Sequence, residues 1–561
     1  MVKSSLFQFL TLASLLSLSI PCTDFLLTKG STTDSSTMIT YAADSHVKYG
    51  TLWHFPAADH AAGSKRQIIE WDTYKPLGEI EEAPHTYNVV GNMNEYQVTI
   101  GESTWGGRQE LWHQKGAIMD YGSLMYVALQ RAQNARHAIR LIAQLVDEYG
   151  YYSEGESLSI GDPNEVWIME IIGKADFEKG AVWVARKVPD GYVCAHANQA
   201  RIRQFPLDDP DVCLYSPDVV SFAKKRGYFS KTGSPHEFSF ADAYNPLTFG
   251  AARGCEGRVW SFYRQITTGM YKYLDHVEGK NLKNVLPLWV KPTNRISPKQ
   301  VMNFMRDHFE NSWLDFRYDV GAGPFNLPYR WRPLEWQVEG DSNSYVNERS
   351  TATQQTGWSM VAQMRSWLPR EVGGLFWFEV DDADSSIYAP FYCSITQIPE
   401  TWSEEFGSLT DFEFSAFWVF NMVSNLSYDR YRDIHPEIVE RINLFQDEFI
   451  QSSQKLEEKM EQFYQNKKLL IEKLTSYSNT NAIKLVDDWL DFWKELVAKY
   501  LDGNRKFKNP DPQKKLPILE APGYGEEWYR RIAEETGEHN RVPDTISSQS
   551  CLNDLENQYY L

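Results

Sequence analysis

A chain of 561 residues, 42% of them hydrophobic, can bury a large core and has room for roughly two to four domains, or one large domain with additions. Its formal net charge of -19 offers no basic face, which sets nucleic-acid binding aside. Beyond Ile20 no run approaches the roughly 18 uninterrupted apolar residues of a membrane-spanning helix, so none is expected.

In chain order, Lys3 followed by an apolar run from Leu6 to Ile20 reads as a secretory signal over residues 1–21, and so as an exported protein. The small-x-small cleavage pattern is missing before Cys22, where Pro21 stands. Next, "DFLLT" and "TMITYAA" flank the turn cluster "KGSTTDSS", which predicts a β-hairpin starting at Cys22. "YNVVGNMNEYQVTIGES" alternates in the same way. Ser123 to Tyr149 carries apolar residues at helical spacing, with Asn134 placed to cap a second helix. "SLSIG", "EVWIMEII", "AVWVARKV" and "YVCAHAN" read as four successive strands separated by turn residues. Helical patterns return at Ser297–His308 and Gln354–Trp367, and "GGLFWFEVDD" reads as another strand. Near Pro436 the texture becomes long, charged and helical. Residues 431–503 are expected to form a helical hairpin packed on the main body, because heptads are not sustained. That addition offers surface for a homo-oligomer. The tail, 504–561, is rich in Pro, Gly, Lys and Asp and is expected to be loose.

The six cysteines are Cys22, Cys194, Cys213, Cys255, Cys393 and Cys551, with no C-x-x-C pair and no HExxH motif, so zinc chemistry is not indicated. Cys22 has a distinctive setting, at the start of a strand and directly after a removable segment. Once residues 1–21 are gone it would carry a thiol and an α-amine whose ordinary pKa is near 8, suited to act as general base for its own side chain. No metal or organic cofactor is needed for that chemistry.

The stretch "CTDFLLTKGSTTDSSTMITYAADSH" resembles the mature N-terminus of the dipeptidase A (PepD-type) family of cysteine peptidases, which are N-terminal nucleophile hydrolases. The likeness continues through "YGYYSEGESLSIGDPNEVWIMEI", "GYVCAHANQARI", "FADAYNPLTFGAARGCEGRVWSFY" and "GGLFWFEVDDADSSIYAPFYCSITQIPE", over roughly residues 22–430. It implies an α+β fold, a four-layer αββα sandwich forming one catalytic domain over 22–430. It also implies release of a leader, by self-processing or by another protease, and hydrolysis of dipeptide substrates. Residue by residue, it implies Cys22 as nucleophile, Asp44 as the holder of the α-amine, Asn198 as oxyanion donor, and Arg258 as a cation near the thiol. Arg253 is the nearby alternative to Arg258. Asn94 in "NMNEYQ" either lines the substrate site or shapes a hairpin turn. In one departure, many relatives carry Arg three residues before the Asp, whereas this chain has Tyr41, which donates a hydrogen bond at the substrate site but carries no charge near pH 7.

Other readings stay open at this stage. One is an acylase of the same superfamily acting on another small amide, and another is a peptide-binding protein lipidated on Cys22. "FEVDDADSS" packs Glu379, Asp381, Asp382 and Asp384 together, a pattern that a glycosidase or a calcium site could also use.

Overall fold

The computed structural model describes residues 22–543, so the expected signal segment, Cys551 and the end of the tail lie outside the described residues. Cys22–Leu27 (β1) and Thr37–Asp44 (β2) form the hairpin expected at Cys22, with Cys22 opposite Ala43 and Leu27 opposite Met38. Thr99–Gly106 (β3) follows, then helices Tyr121–Leu129 (α1) and Ala135–Tyr149 (α2). Asn134 caps α2 by accepting from His137 N, and the buried stripe Ala135, Ala138, Ile139, Ile142, Leu145 and Val146 is the one the apolar spacing predicts. Gly155–Gly161 (β4), Val166–Gly173 (β5) and Ala181–Lys187 (β6) run as an antiparallel meander beside β3. Val193–His196 (β7), the fourth strand of the expected series, leaves that meander and pairs with β1 instead. After helix Gly257–Ile266 (α3) come Thr356–Met364 (β8), Gly374–Val380 (β9) and Ala389–Tyr392 (β10). Helices Ala416–Asp429 (α4), Tyr431–Met460 (α5) and Lys467–Tyr500 (α6) complete the main body.

The protein is thus mixed α and β with antiparallel sheets. One sheet has seven strands in the order Trp289–Val290, β7, β1, β2, β8, β9, β10. The other has eight, running from Cys213–Tyr215 through β6, β5, β4 and β3 to three two-residue strands. The segment 354–367, expected to be helical, is the strand β8. It lies between β2 and β9 with every residue buried, so alternation is erased by apolar contact on both faces, and two ladders of backbone hydrogen bonds override weak helical propensity.

The two sheets face each other. His196 of β7 sits between Ser103 Oγ of β3 at 2.6 Å and Ser159 Oγ of β4 at 2.7 Å. At Gly101 a Cβ would come within 2.4 Å of Asp24 Oδ1 and 3.1 Å of Tyr41 Cβ, so only glycine lets the sheets approach this closely. Helices α1 and α2 lie against the second sheet, and α4 and α6 against β9 and β10 of the first. The α5–α6 pair packs within the chain: Trp489 of α6 stacks on Phe420 of α4 at 5.1 Å, and Ser478 Oγ accepts from Tyr392 N at 3.3 Å. The described part of the tail, up to residue 543, carries regular elements. Arg505–Phe507 pairs with Ile518–Glu520, and Glu526–Asn540 is a helix. An Arg505–Asp433 ion pair at 2.9 Å and the i,i+4 pairs Arg530–Glu526 and Arg531–Glu535 supply what a burial-poor segment lacks. No described helix is long and apolar enough to cross a membrane.

The acids of "FEVDDADSS" brace this body rather than gather around an ion. Asp381 accepts from Asn421 Nδ2 at 2.8 Å, Asp382 from Tyr428 OH at 2.8 Å, and Asp384 pairs with His435 Nε2 at 2.7 Å. Among the described residues no group of three or more His, Cys, Asp or Glu side chains is arranged to hold a metal ion. His308 joins this network through Tyr329 OH at 2.9 Å and Glu310 at 3.3 Å. Burial works against its charged form, but Asp384 and Glu310 outweigh burial and push its pKa up to about 9. A folded-state pKa raised above the ordinary 6.5 gives stability that is fully present below about pH 6.5 and is lost as pH rises through about 9. The thermal midpoint should therefore fall between pH 6.5 and 9.5, and His308→Gln should flatten that fall; a level wild-type profile would refute the linkage.

Candidate active site

β1 starts at Cys22, and its neighbours β2 and β7 bring Tyr41, Asp44 and the turn after His196 to the same end of the sheet. That turn puts Asn198 in the left-handed region, φ 61°, which asparagine tolerates better than most residues. Asn198 Oδ1 accepts from Cys22 N at 3.0 Å and from Arg258 Nη2 at 2.8 Å, while its Nδ2 donates to Thr104 O at 2.5 Å. The donors on one side and the carbonyl on the other fix which way the amide points. Its oxygen thus holds the nitrogen of Cys22, and one hydrogen of its nitrogen goes to Thr104.

A π-type turn over Ala251–Glu256 precedes α3, and the helix carries Arg258 into the interior, where it is fully buried. Nη1 donates to Cys22 O and to Thr23 Oγ1, each at 2.7 Å, and Nε donates to Gly254 O at 2.9 Å. The guanidinium therefore grips the main chain of the nucleophile candidate. Arg253 is accounted for elsewhere, in an ion pair with Glu348.

Asp44 is fully buried. It accepts from Arg349 Nη2 at 2.7 Å and from Thr356 Oγ1 at 2.6 Å. Burial raises its carboxyl while Arg349 and Thr356 pull it back, leaving a pKa of about 6. Among the described residues the Cys22 thiol meets Glu102 Oε1 at 3.4 Å and Tyr41 OH at 3.9 Å, and Tyr41 OH donates to that same Glu102 oxygen. Burial pushes the thiol well above its ordinary range, and Glu102 and Asp44 add to this; Lys48 works the other way. Glu102 is itself raised, chiefly by burial, and is coupled to the buried Glu156. The Lys48 ammonium is buried without a hydrogen-bond partner, 5.7 Å above the Trp71 ring.

The structure brings Cys22, Tyr41, Asp44, Asn198 and Arg258 together and leaves Asn94 out. Asn94 Nδ2 donates to Leu129 O and Ala132 O, and its Oδ1 accepts from Tyr96 N and Val98 N. Its amide is spent on shaping the loop beside β3, so of its two open readings the turn-shaping one holds. Glu102, Glu156, Arg349 and Lys48 were not singled out from the sequence. The available signal was "IGEST" and "GESLSIG", two strands carrying a glutamate among small and apolar residues, where a lone carboxyl is costly unless it has work to do. Cys194, Cys213, Cys255 and Cys393 are free thiols.

Cys22 is thus gripped by its own main chain at the start of a strand. The model of peptidase family C69 matches residues 50–443, and the chain belongs to that family. The match takes in Asn198 and Arg258 and begins after Cys22, Tyr41 and Asp44. The chain is also similar to a probable dipeptidase of Salmonella dublin, 24% identical over 390 residues, covering 66% of this chain and 81% of that one. A probable dipeptidase B of Streptococcus pyogenes serotype M1 is 23% identical over 441 residues, covering 76% and 82%. A probable dipeptidase of Latilactobacillus sakei is 24% identical over 339 residues, covering 59% and 63%.

Because Glu102 is among the groups raising the thiol, Glu102→Gln should lower the pH midpoint for iodoacetamide modification of Cys22. An unchanged midpoint would remove Glu102 from the thiol's electrostatics.

Proposed function

We propose that the protein is an exported dipeptidase that cleaves its substrate's amide bond with the thiol of an N-terminal Cys22, through an acyl-thioester. The observation that carries this reading is the hold on Cys22. Its nitrogen donates to Asn198 Oδ1, its carbonyl accepts from Arg258, and its thiol is left facing the polar side chains of Glu102 and Tyr41. In the full-length chain that nitrogen is a peptide nitrogen and cannot take a proton. After cleavage between Pro21 and Cys22 it becomes an amine held by the same acceptor. The facing antiparallel sheets with helices on their outer sides support reading the fold as the four-layer αββα sandwich of N-terminal nucleophile hydrolases.

On this reading the α-amine takes the thiol proton and the sulfur attacks the carbonyl carbon of the first residue. The bond to the second residue's nitrogen breaks, and that nitrogen leaves with the proton from the amine. Water then adds to the thioester, its proton passing through the same amine, and the thiol is regenerated. Asp44, tied to Arg349 and Thr356, supplies a negative charge that favours the protonated amine between the two halves. Asn198 fixes where the amine sits.

Cys22→Ser should cut dipeptide hydrolysis by orders of magnitude, and a variant with one extra residue fixed before Cys22 should be equally inactive, because its amine is an amide. Near-normal turnover in either would end the proposal. Chelator should leave activity unchanged. Since Asp44 has a pKa of about 6, activity should rise with pH through about 6 as the carboxylate forms. Asp44→Asn should abolish that limb together with most of the activity, and a limb that persists in this variant would assign it to another group.

A further inference from the structure

A dipeptide differs from other small amides in one respect that bears on geometry: its free amino group sits next to the bond that is cut. N–Cα and Cα–C bonds of about 1.46 and 1.52 Å place that nitrogen about 2.5 Å from the attacked carbon. With sulfur about 3–3.5 Å from that carbon before reaction, the substrate's ammonium must lie within about 3–5 Å of Cys22 Sγ. Any group that recognises it has to be in the thiol's immediate surroundings.

Glu102 is there, with Oε1 at 3.4 Å from Sγ. Its other oxygen, Oε2, and Oε2 of Glu156 are buried and have no hydrogen-bond partner among the described residues. The two glutamates are diagonal neighbours on the β3–β4 ladder, where Thr104 lies opposite Glu156 and Glu102 opposite Leu158, and burial together with their mutual repulsion makes the doubly ionised pair costly. Tyr41 donates its hydroxyl to Glu102 and brings no charge of its own, so the cation acting on that carboxyl is the more remote Lys48 ammonium. A carboxyl pair that keeps a negative charge beside the nucleophile matches an ammonium group with its three N–H donors. An N-acylated substrate would bring a carbonyl and a single N–H to the same place and leave the carboxyl oxygens unsatisfied.

We propose that the Glu102–Glu156 carboxyl pair is the receptor for the substrate's free α-ammonium, which selects unblocked dipeptides and rejects N-acyl amides. The assignment rests on Cys22 as nucleophile. When the pair rests with a shared proton, the arriving ammonium takes that proton's place between the oxygens and the proton passes to water.

The test compares L-alanyl-L-alanine with N-acetyl-L-alanyl-L-alanine in the mature wild type, Glu102→Gln and Glu156→Gln. The wild type should strongly prefer the free dipeptide. Either variant should lose about 10- to 100-fold in kcat/KM for it, chiefly through KM, and the preference should narrow accordingly. Equal cleavage of both peptides by the wild type, or an equal loss on both in the variants, would overturn the assignment while leaving the nucleophile in place. Should neither peptide be cleaved, the dipeptidase reading fails and the receptor is judged by a second readout. Alaninamide, and not N-acetylalaninamide, should protect Cys22 from iodoacetamide, with the protection lost in Glu102→Gln; equal protection by both would overturn it.

Discussion

The site depends on one buried guanidinium. Arg258 reaches the carbonyl of Cys22 on one side and the amide oxygen of Asn198 on the other, so β1, the turn after β7 and the start of α3 must all be in register for its donors to be met. Burying an arginine is costly unless its hydrogen bonds are filled, and here main-chain carbonyls together with Thr23 and Asn198 fill them. The cost makes the arrangement selective: a shift of one strand by one residue would leave a charge stranded in the interior. Asn198 completes the hold, because the oxygen that anchors Arg258 also accepts from the nitrogen of Cys22.

Around this clamp the charges are distributed unevenly. The main chain of Cys22 lies against arginines, with Arg349 behind Asp44, while its thiol points toward carboxyls. Such a pocket does not activate a thiol by a neighbouring cation in the manner of a histidine-paired cysteine. It suits a mechanism in which the base is the residue's own amine, and it suits a substrate that arrives with a positive charge. The Tyr41 substitution fits the same pattern, since an arginine there would sit against Glu102 and neutralise it.

The readable parts of this protein were the local ones. The hairpin at Cys22 and the Asn134 cap depend on residues a few positions apart, whose turn and capping chemistry is written in the chain. Strand β8 was misread because it is central in its sheet and buried on both faces, so the period-2 signal that marks a half-exposed strand is absent. The family likeness pointed to Cys22, Asp44, Asn198 and Arg258, and the fold brings them together. Their contacts could not be read in advance: Asn198 turned its oxygen rather than its nitrogen to the nucleophile, and Asn94 was consumed by backbone groups 35 and 38 residues away. Glu102 and Glu156 went unnoticed because a glutamate in a strand has no sequence signature of its own; its meaning comes from the opposite sheet.

By itself, the sequence determined that a hairpin begins at Cys22, that helices α1 and α2 follow, and that the net charge of -19 gives nucleic acid no basic face to bind. These follow from periodicity, turn residues and charge, which act over short distances along the chain. Tertiary structure alone decided which charges meet Cys22. Thiol, Tyr41 and Glu102 are brought together by two sheets closing at Gly101, where the missing side chain allows a distance no other residue would permit. Electrostatics in a buried pocket is set by distance in space and by the exclusion of water, and neither is a property of neighbouring residues in a chain.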